Sequence, residues 1–271
     1  MKVVALMYHD VAPSGCAHSS GFPGGDAARY KLSTSTFCDH LRAINGRVPA
    51  RPVTVDALAT ATGSGLPVLL TFDDGGAGAE AAADCLDVFG WRGHFLVTTD
   101  YIGRPGFLTA SQMRDLRRRG HVIGSHSCSH PLRMSRCAVD RLRTEWARSL
   151  ATIADILGER VETASVPGGD YSEAVGASAS EAGVRYLFTS RPAVAVRRRF
   201  GTLVLGRYAV RRTTSARRVA AVAAGRRLPR VQQMLMWDLT RVAKAAAGRG
   251  YLKMRRHWLG GSPDMRWGDA P

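Results

Sequence analysis

The sequence has no Cys-x-x-Cys pair, and its five cysteines, at positions 16, 38, 85, 128 and 137, are odd in number. That pattern argues against both a disulfide framework and a structural zinc knuckle. There is no run of eighteen apolar residues, so no helical membrane span is expected. Nor does a basic-then-apolar leader precede the first strand-like segment, which begins at Val3 and already carries Tyr8 and His9. The expected location is therefore the cytoplasm, with peripheral contact at the inner membrane face as an extension of it. No internal repeat is found. Helix-turn-helix, zinc-finger and aromatic-basic RNA motifs are all missing, which argues against nucleic acid as a partner. Acidic residues run short at one end. From Arg197 to Pro271, 16 Arg and 2 Lys face 3 Asp, so +15 of the chain's +16 lies there. The rest is nearly neutral. At 271 residues and 45% apolar content the chain can bury a sizeable core, and α/β barrels reach this length as one domain.

What is present is concentrated in two short segments. Residues 67 to 75 read Pro-Val-Leu-Leu-Thr-Phe-Asp-Asp-Gly, an apolar strand ending in two carboxylates and a glycine. Further on the chain reads Ser125-His126-Ser127-Cys128-Ser129-His130-Pro131. Neighbouring strand residues point to opposite faces, so Asp73 and Asp74 share one site only if the backbone turns, which Gly75-Gly76 permits. One carboxylate can then join His126 and His130 in an open three-ligand shell for a divalent ion, with a position left for water. The other is free to take a proton from that water. Taken singly, Asp-Asp-Gly is as readily a solvated turn, and a His-x-x-x-His spacing arises by chance. Both at strand ends, in this order, they point to a metal-water hydrolase. Cys128 reads as a small buried spacer. Pro131 disfavours the right-handed helical region at His130, which places the histidine pair in a loop after a strand.

These segments resemble the polysaccharide deacetylases, carbohydrate esterase family 4. The family's first motif, Thr-Phe-Asp-Asp-Gly, stands unchanged as Thr71 to Gly75, and its second, His-Ser/Thr-x-x-His-Pro, as His126 to Pro131. The resemblance implies that Asp73 is the general base and that Asp74, His126 and His130 hold a zinc ion, with Co2+, Ni2+, Mn2+ or Fe2+ as alternatives. Val3 to Val11 reads as a buried strand ending in Tyr8-His9. It is similar to the exopolysaccharide branch, in which such a Tyr-His stands in for a histidine that other members carry near the C-terminus. No Leu-x-x-His follows residue 190, so His9 is the expected general acid; a core or capping histidine is the plainer alternative. The third motif, usually Arg-x-Pro-Tyr-Gly, departs from the pattern. It reads Ser165-Val166-Pro167-Gly168-Gly169-Asp170-Tyr171, without the Arg or the aromatic residue. The resemblance still implies that the Gly168 N–H faces the oxyanion. Arg207 is a candidate substitute for the missing Arg, and a surface or structural arginine is the equal alternative. The implied activity is removal of acetyl groups from an amino sugar or acetylated glycan in envelope or exopolysaccharide synthesis. An O-acetyl esterase or sugar deformylase shares that chemistry, and a catalytically weakened glycan-binding or scaffold protein is the reading from another class.

Hydrophobic patterning predicts strands near 3–8, 67–72, 93–98, 121–125, 161–166 and 185–189, and helices near 35–45, 78–89, 110–119, 136–157 and 172–182. Ser35 or Thr36 is the expected cap of the first helix, Thr109 or Ser111 of the third, and Gly120 its stop. Such alternation predicts an α/β fold with parallel strands. The resemblance sharpens this to a distorted, incomplete (β/α) barrel of about seven strands, spanning 1–215, with a basic, partly helical extension at 216–271. Residues 10 to 30, rich in Gly, Ser, Ala and Pro, read as a loop over the site mouth. In the extension Val231, Met234, Leu235, Leu239, Val242 and Ala246 recur at helical spacing among basic residues. Such a helix either lies on an anionic membrane surface or packs on the barrel with its arginines solvated.

Overall fold

The computed structural model describes residues 1–13, 19–49, 51–60 and 65–246; Cys16, the centre of the mouth segment and the tail after residue 246 lie outside the described residues. The chain opens with β1 (Val4–Tyr8), β2 (Asp10–Ala12), a four-residue α1 (Gly25–Ala28), β3 (Lys31–Ser33) and α2 (Thr34–Asn45). Strands and helices then alternate: β4 (Val68–Phe72), α3 (Ala79–Val88), β5 (His94–Val97), α4 (Ala110–Arg118), β6 (Val122–Ser125), α5 (Val139–Leu157), β7 (Thr163–Ser165), α6 (Glu173–Glu181) and β8 (Tyr186–Phe188). After them come β9 (Arg197–Arg199), β10 (Thr202–Leu205), β11 (Tyr208–Ala209), α7 (Ala216–Ala223) and α8 (Arg227–Ala246).

Nine of these strands form one sheet in the order β11-β1-β4-β5-β6-β7-β8-β10-β9. Its pairs are parallel except β10 with β9. Every residue of β1 and β4 is buried, as continuous apolar runs covered on both faces must be. The two faces feed different cores. Val4, Leu6 and Tyr8 join the large cluster beneath the helices, while Val3 and Ala5 join a smaller one with Leu69, Leu96, Phe188 and Leu205. Past β8 the chain returns to its start: the Val3 N–H donates to Val194 O at 2.8 Å, and Lys2 pairs with Ala195. The sheet thus curls into the expected incomplete barrel.

Several local expectations need correction. The sheet has nine strands rather than about seven, because β9 and the two-residue β11 lack an apolar run; β9 is three exposed arginines. The first long helix is capped by Ser33, whose hydroxyl accepts from the Thr36 N–H at 3.1 Å, so neither Ser35 nor Thr36 is the cap. Thr109 does cap α4, in a reciprocal box with Gln112, and Gly120 follows that helix at φ +89°. The mouth segment is not wholly loop: Asp10–Ala12 pairs in parallel with Lys31–Ser33. Helix α7 contributes Val219, Val222 and Ala223 to the main core.

Candidate active site and metal centre

The parallel register decides which side chains meet. Tyr8 lies opposite Phe72, so β1 and β4 end side by side and release His9 and Asp73 together. The Asp73 N–H donates to Tyr8 O at 3.1 Å, which keeps Asp73 in line with its strand. The turn comes one residue on, with Asp74 at φ +78° and Gly75 at +79°. A side chain at Gly75 would strike Val97, so only glycine fits this return. The two acids therefore reach one site from different backbone directions.

Beyond β6 the loop carrying both histidines is left-handed at Ser127 (φ +64°) and His130 (φ +57°), agreeing with the expectation from Pro131. It is pinned to α5. The buried Glu145 carboxylate accepts from the N–H groups of Cys128 (3.0 Å) and Ser129 (2.9 Å) and from the Ser129 hydroxyl (2.5 Å). Cys128 packs inward, away from the ligand atoms, and is 2% exposed.

Asp74, His126 and His130 converge, with ligand atoms all within 4.8 Å of one another. Asp74 Oδ1 lies 3.5 Å from His126 Nε2 and 3.7 Å from His130 Nε2. The donor chemistry fits a divalent ion. Burial pushes the His126 ring down to about 3 and lowers His130 as well, so both imidazoles are neutral and keep a lone pair to give. Burial also raises the Asp74 carboxyl to about 6, a cost that a bound cation would offset. His126 is further fixed by Ser165. The Ser165 hydroxyl proton is spent on Asp73 Oδ1 at 3.1 Å, so His126 Nδ1, 2.6 Å from the same oxygen, must be the donor. Nε2 is then left as the acceptor, facing Asp74.

Asp73 is 4% exposed. Burial alone would push its carboxyl up, but Arg207, then His126 and His9, outweigh that and hold it well below the usual range. Arg207 is wholly buried and grips it with both ends of the guanidinium, Nη1 to Oδ1 at 2.6 Å and Nη2 to Oδ2 at 2.7 Å. The same guanidinium donates to Thr71 Oγ1 at 3.1 Å and Thr189 O at 3.2 Å. Oδ1 thus takes two donors and Oδ2 one, leaving Oδ2 a free lone pair. The guanidinium beside Asp73 thus comes from the segment before β11, and Ser165, at the arginine position of the third motif, links Asp73 and His126.

His9 is half-buried, its ring 4.5 Å from that of Tyr30, and close enough to bear electrostatically on both Asp73 and Asp74. Its Nδ1 is buried without a hydrogen-bond partner among the described residues. Gly168 lies in a single turn, Pro167–Gly169, directly after β7, at φ +58° with open space where a side chain would project. Asp170 is engaged elsewhere, accepting from the N–H and hydroxyl of Ser135.

Sequence reasoning missed the brace at the mouth. Buried Asp10 accepts from the Ser20 hydroxyl at 2.9 Å, buried Lys31 donates to Ser20 O, and the Gly78 N–H donates to Ser20 Oγ at 2.6 Å. This holds the mouth segment on the turn that follows Asp74. Phe22 consequently sits 5.0 Å from the His130 ring, beside Tyr101 and Phe107. The usable signal was Asp10 itself, an acid directly after a buried strand.

Residues 61–187 match the sequence profile of a family described as Polysaccharide deacetylase. YxkH of Bacillus subtilis (strain 168), whose name places it among the polysaccharide deacetylases, is 28% identical over 131 residues, 48% of this chain and 47% of its own. The chain thus spans about half the length of that curated relative. Among solved structures, the Streptococcus pyogenes deacetylase PplD, in complex with acetate, superposes with TM-score 0.66 at 20% identity over 80% of this chain and 95% of its own. IcaB from Ammonifex degensii gives 0.67 at 23% identity over 82% and 97%. A polysaccharide deacetylase from Bacillus cereus, BC0361, gives 0.69 at 18% identity over 82% and 69%. At these identities the three structures establish a shared fold.

Proposed function

From the polysaccharide deacetylase family, to which the chain belongs through residues 61–187, we propose that this protein is a metal-dependent hydrolase that removes acetyl groups from an amino sugar or acetylated glycan. The observation that carries the reading is the pairing of two differently prepared carboxylates: Asp74 against two neutral imidazoles, and Asp73 against a buried guanidinium. A divalent ion held by Asp74, His126 and His130, with zinc the first candidate, would polarise the acetyl carbonyl and lower the pKa of the attacking water.

The chain's own residues supply the rest. Asp73 is ionised at any working pH and offers the free lone pair of Oδ2 to the proton of the attacking water. The Gly168 N–H, at an open glycine turn, serves the oxyanion that forms on the acetyl carbonyl. His9, on the neighbouring strand end, delivers a proton to the departing nitrogen. Arg207 keeps Asp73 anionic and oriented, which removes the main support for a catalytically weakened binding protein. The product acetate is the molecule that PplD holds in its structure. A place in envelope or exopolysaccharide synthesis rests on the Tyr8-His9 pair at the end of β1, the feature this chain shares with the exopolysaccharide branch.

The test is acetate release from N-acetylated hexosamine oligomers by metal-loaded protein. Asp73→Asn is expected to keep its metal and lose turnover by about 10² to 10⁴-fold, whereas Asp74→Ala and His126→Ala lose the metal. Wild-type turnover in Asp73→Asn, or full metal retention in both ligand variants, would overturn the assignment.

A further inference from the structure

Helix α8 faces the wrong way for a helix stabilised only by the barrel. Its inward side is mixed: Gln233 donates from Nε2 to Ala209 O at 2.9 Å, and Arg230, Met234 and Trp237 beside it are half-buried. The outward side carries Leu228, Val231, Leu235, Met236 and Leu239, each between 41% and 71% exposed. Residues 228, 231, 235 and 239 advance by 3, 4 and 4 positions, which keeps them in one line along the helix. Elsewhere among the described residues the exposed large apolar side chains, Met1, Val88, Leu132, Val139 and Phe200, are scattered along the chain. Single exposed residues of that kind need no explanation, but a line of four with Met236 beside it does.

The surroundings say what covers it. Arg217 and Arg218 on α7, Arg226 in the link and Arg227 at the start of α8 are exposed, and the one acid of α8, Asp238, is half-buried. The segment from Arg197 onward holds +15. An apolar stripe flanked by arginines matches a flat, negatively charged and partly apolar surface. No helix among the described residues is long and apolar enough to cross a membrane, so the helix would lie along the surface.

We propose that α8 is a membrane-docking helix that seats Leu228, Val231, Leu235, Met236 and Leu239 in the headgroup region of a bilayer containing anionic phospholipid. The site would then work at the membrane surface, on substrate presented there. This stands on the outer face of α8 and is independent of the catalytic reading.

Co-sedimentation of the full chain with vesicles tests it. Binding is expected to phosphatidylcholine vesicles containing phosphatidylglycerol and not to phosphatidylcholine alone, with release as salt rises and the Debye length falls from about 30 Å at 0.01 M to about 3 Å at 1 M. Leu235→Ser and Leu239→Ser, both exposed and so neutral for folding, are each expected to weaken binding by about tenfold, the loss of one buried leucine. Arg226→Gln with Arg227→Gln should weaken it and flatten the salt dependence. No vesicle binding at low salt, or binding unchanged in the leucine variants, would overturn the proposal. So would a dimer in sedimentation velocity that Leu235→Ser disperses, since a second copy would then own the face. Deletion after residue 246 tests the tail: binding gained only on deletion would make the tail the occupant and would equally sink the proposal.

Discussion

At the scale of single residues, the weight of the site falls on protons placed by their neighbours. His9 and Asp73 leave adjacent strand ends, yet one is gripped by a guanidinium and the other keeps an unpartnered Nδ1. If His9 gives up the proton that the departing amine needs, His9→Ala should depress turnover of N-acetyl substrates and spare activated aryl acetates, whose phenolate leaves unprotonated. Metal content should be unchanged, because His9 is not among the three converging ligands. Equal slowing of both substrate types would make the residue positional, and a loss of metal would place it in the ligand shell. Much at this scale was legible in the sequence. Asp73, Asp74, His126 and His130 are short-range patterns at strand ends. Arg207 was not separable from a surface arginine, because its partner is 134 residues away and only the closing of the sheet brings them together. Ser165 was hidden differently, as the residue standing where an arginine was expected.

Elements position these residues, and α5 is the clearest case. Glu145, 5% exposed, gathers three donors from the loop that carries both histidines and so sets its left-handed path. Glu145→Ala is expected to weaken metal affinity by about 10 to 100-fold, the usual effect of removing an outer-shell support, while all three ligands remain. Titration against a competing chelator measures this, and an unchanged affinity would show that the loop holds itself. Alternating patterns placed six strands and five helices within a few residues of their observed bounds, because buried parallel strands and amphipathic helices differ plainly in period. Short edge elements failed the same reading. Three arginines carry β9 by pairing with β10, a tertiary cause with no local signature. Helices α2 and α3 also bring the Cys38 and Cys85 sulfurs to 2.7 Å, a juxtaposition that cysteine spacing did not reveal.

The molecule as a whole keeps several imidazoles dry, and this sets its response to acid. His94 is wholly buried, accepting from the Val55 N–H at Nε2 and bonded to Leu70 O through Nδ1, both at 2.9 Å. Burial pushes it, and His121, down to about 4. The unfolded chain, with histidines near 6.5, therefore binds more protons between pH 6.5 and about 4. Stability from the neutral rings is complete above that window and is lost as pH falls through it. His94→Gln can keep both hydrogen bonds without titrating. Between pH 7 and 4 the wild type should lose up to roughly 3 kcal/mol more stability than this variant, read from denaturant melts at each pH. Parallel stability curves would show that the ring is protonated without cost.

The route by which Arg207 reaches Asp73 imposes an order in time. The family match ends at residue 187, and by then synthesis has delivered both carboxylates, both histidines, Ser165 and Gly168. What has not yet emerged is the cation that keeps Asp73 ionised in a dry site, which arrives twenty residues later with the turn that lets β11 dock on β1. Until then a buried Asp73 would be protonated and useless as a base. A chain lacking Arg207 would keep the residues that converge around Asp74 and lose the charge that readies Asp73.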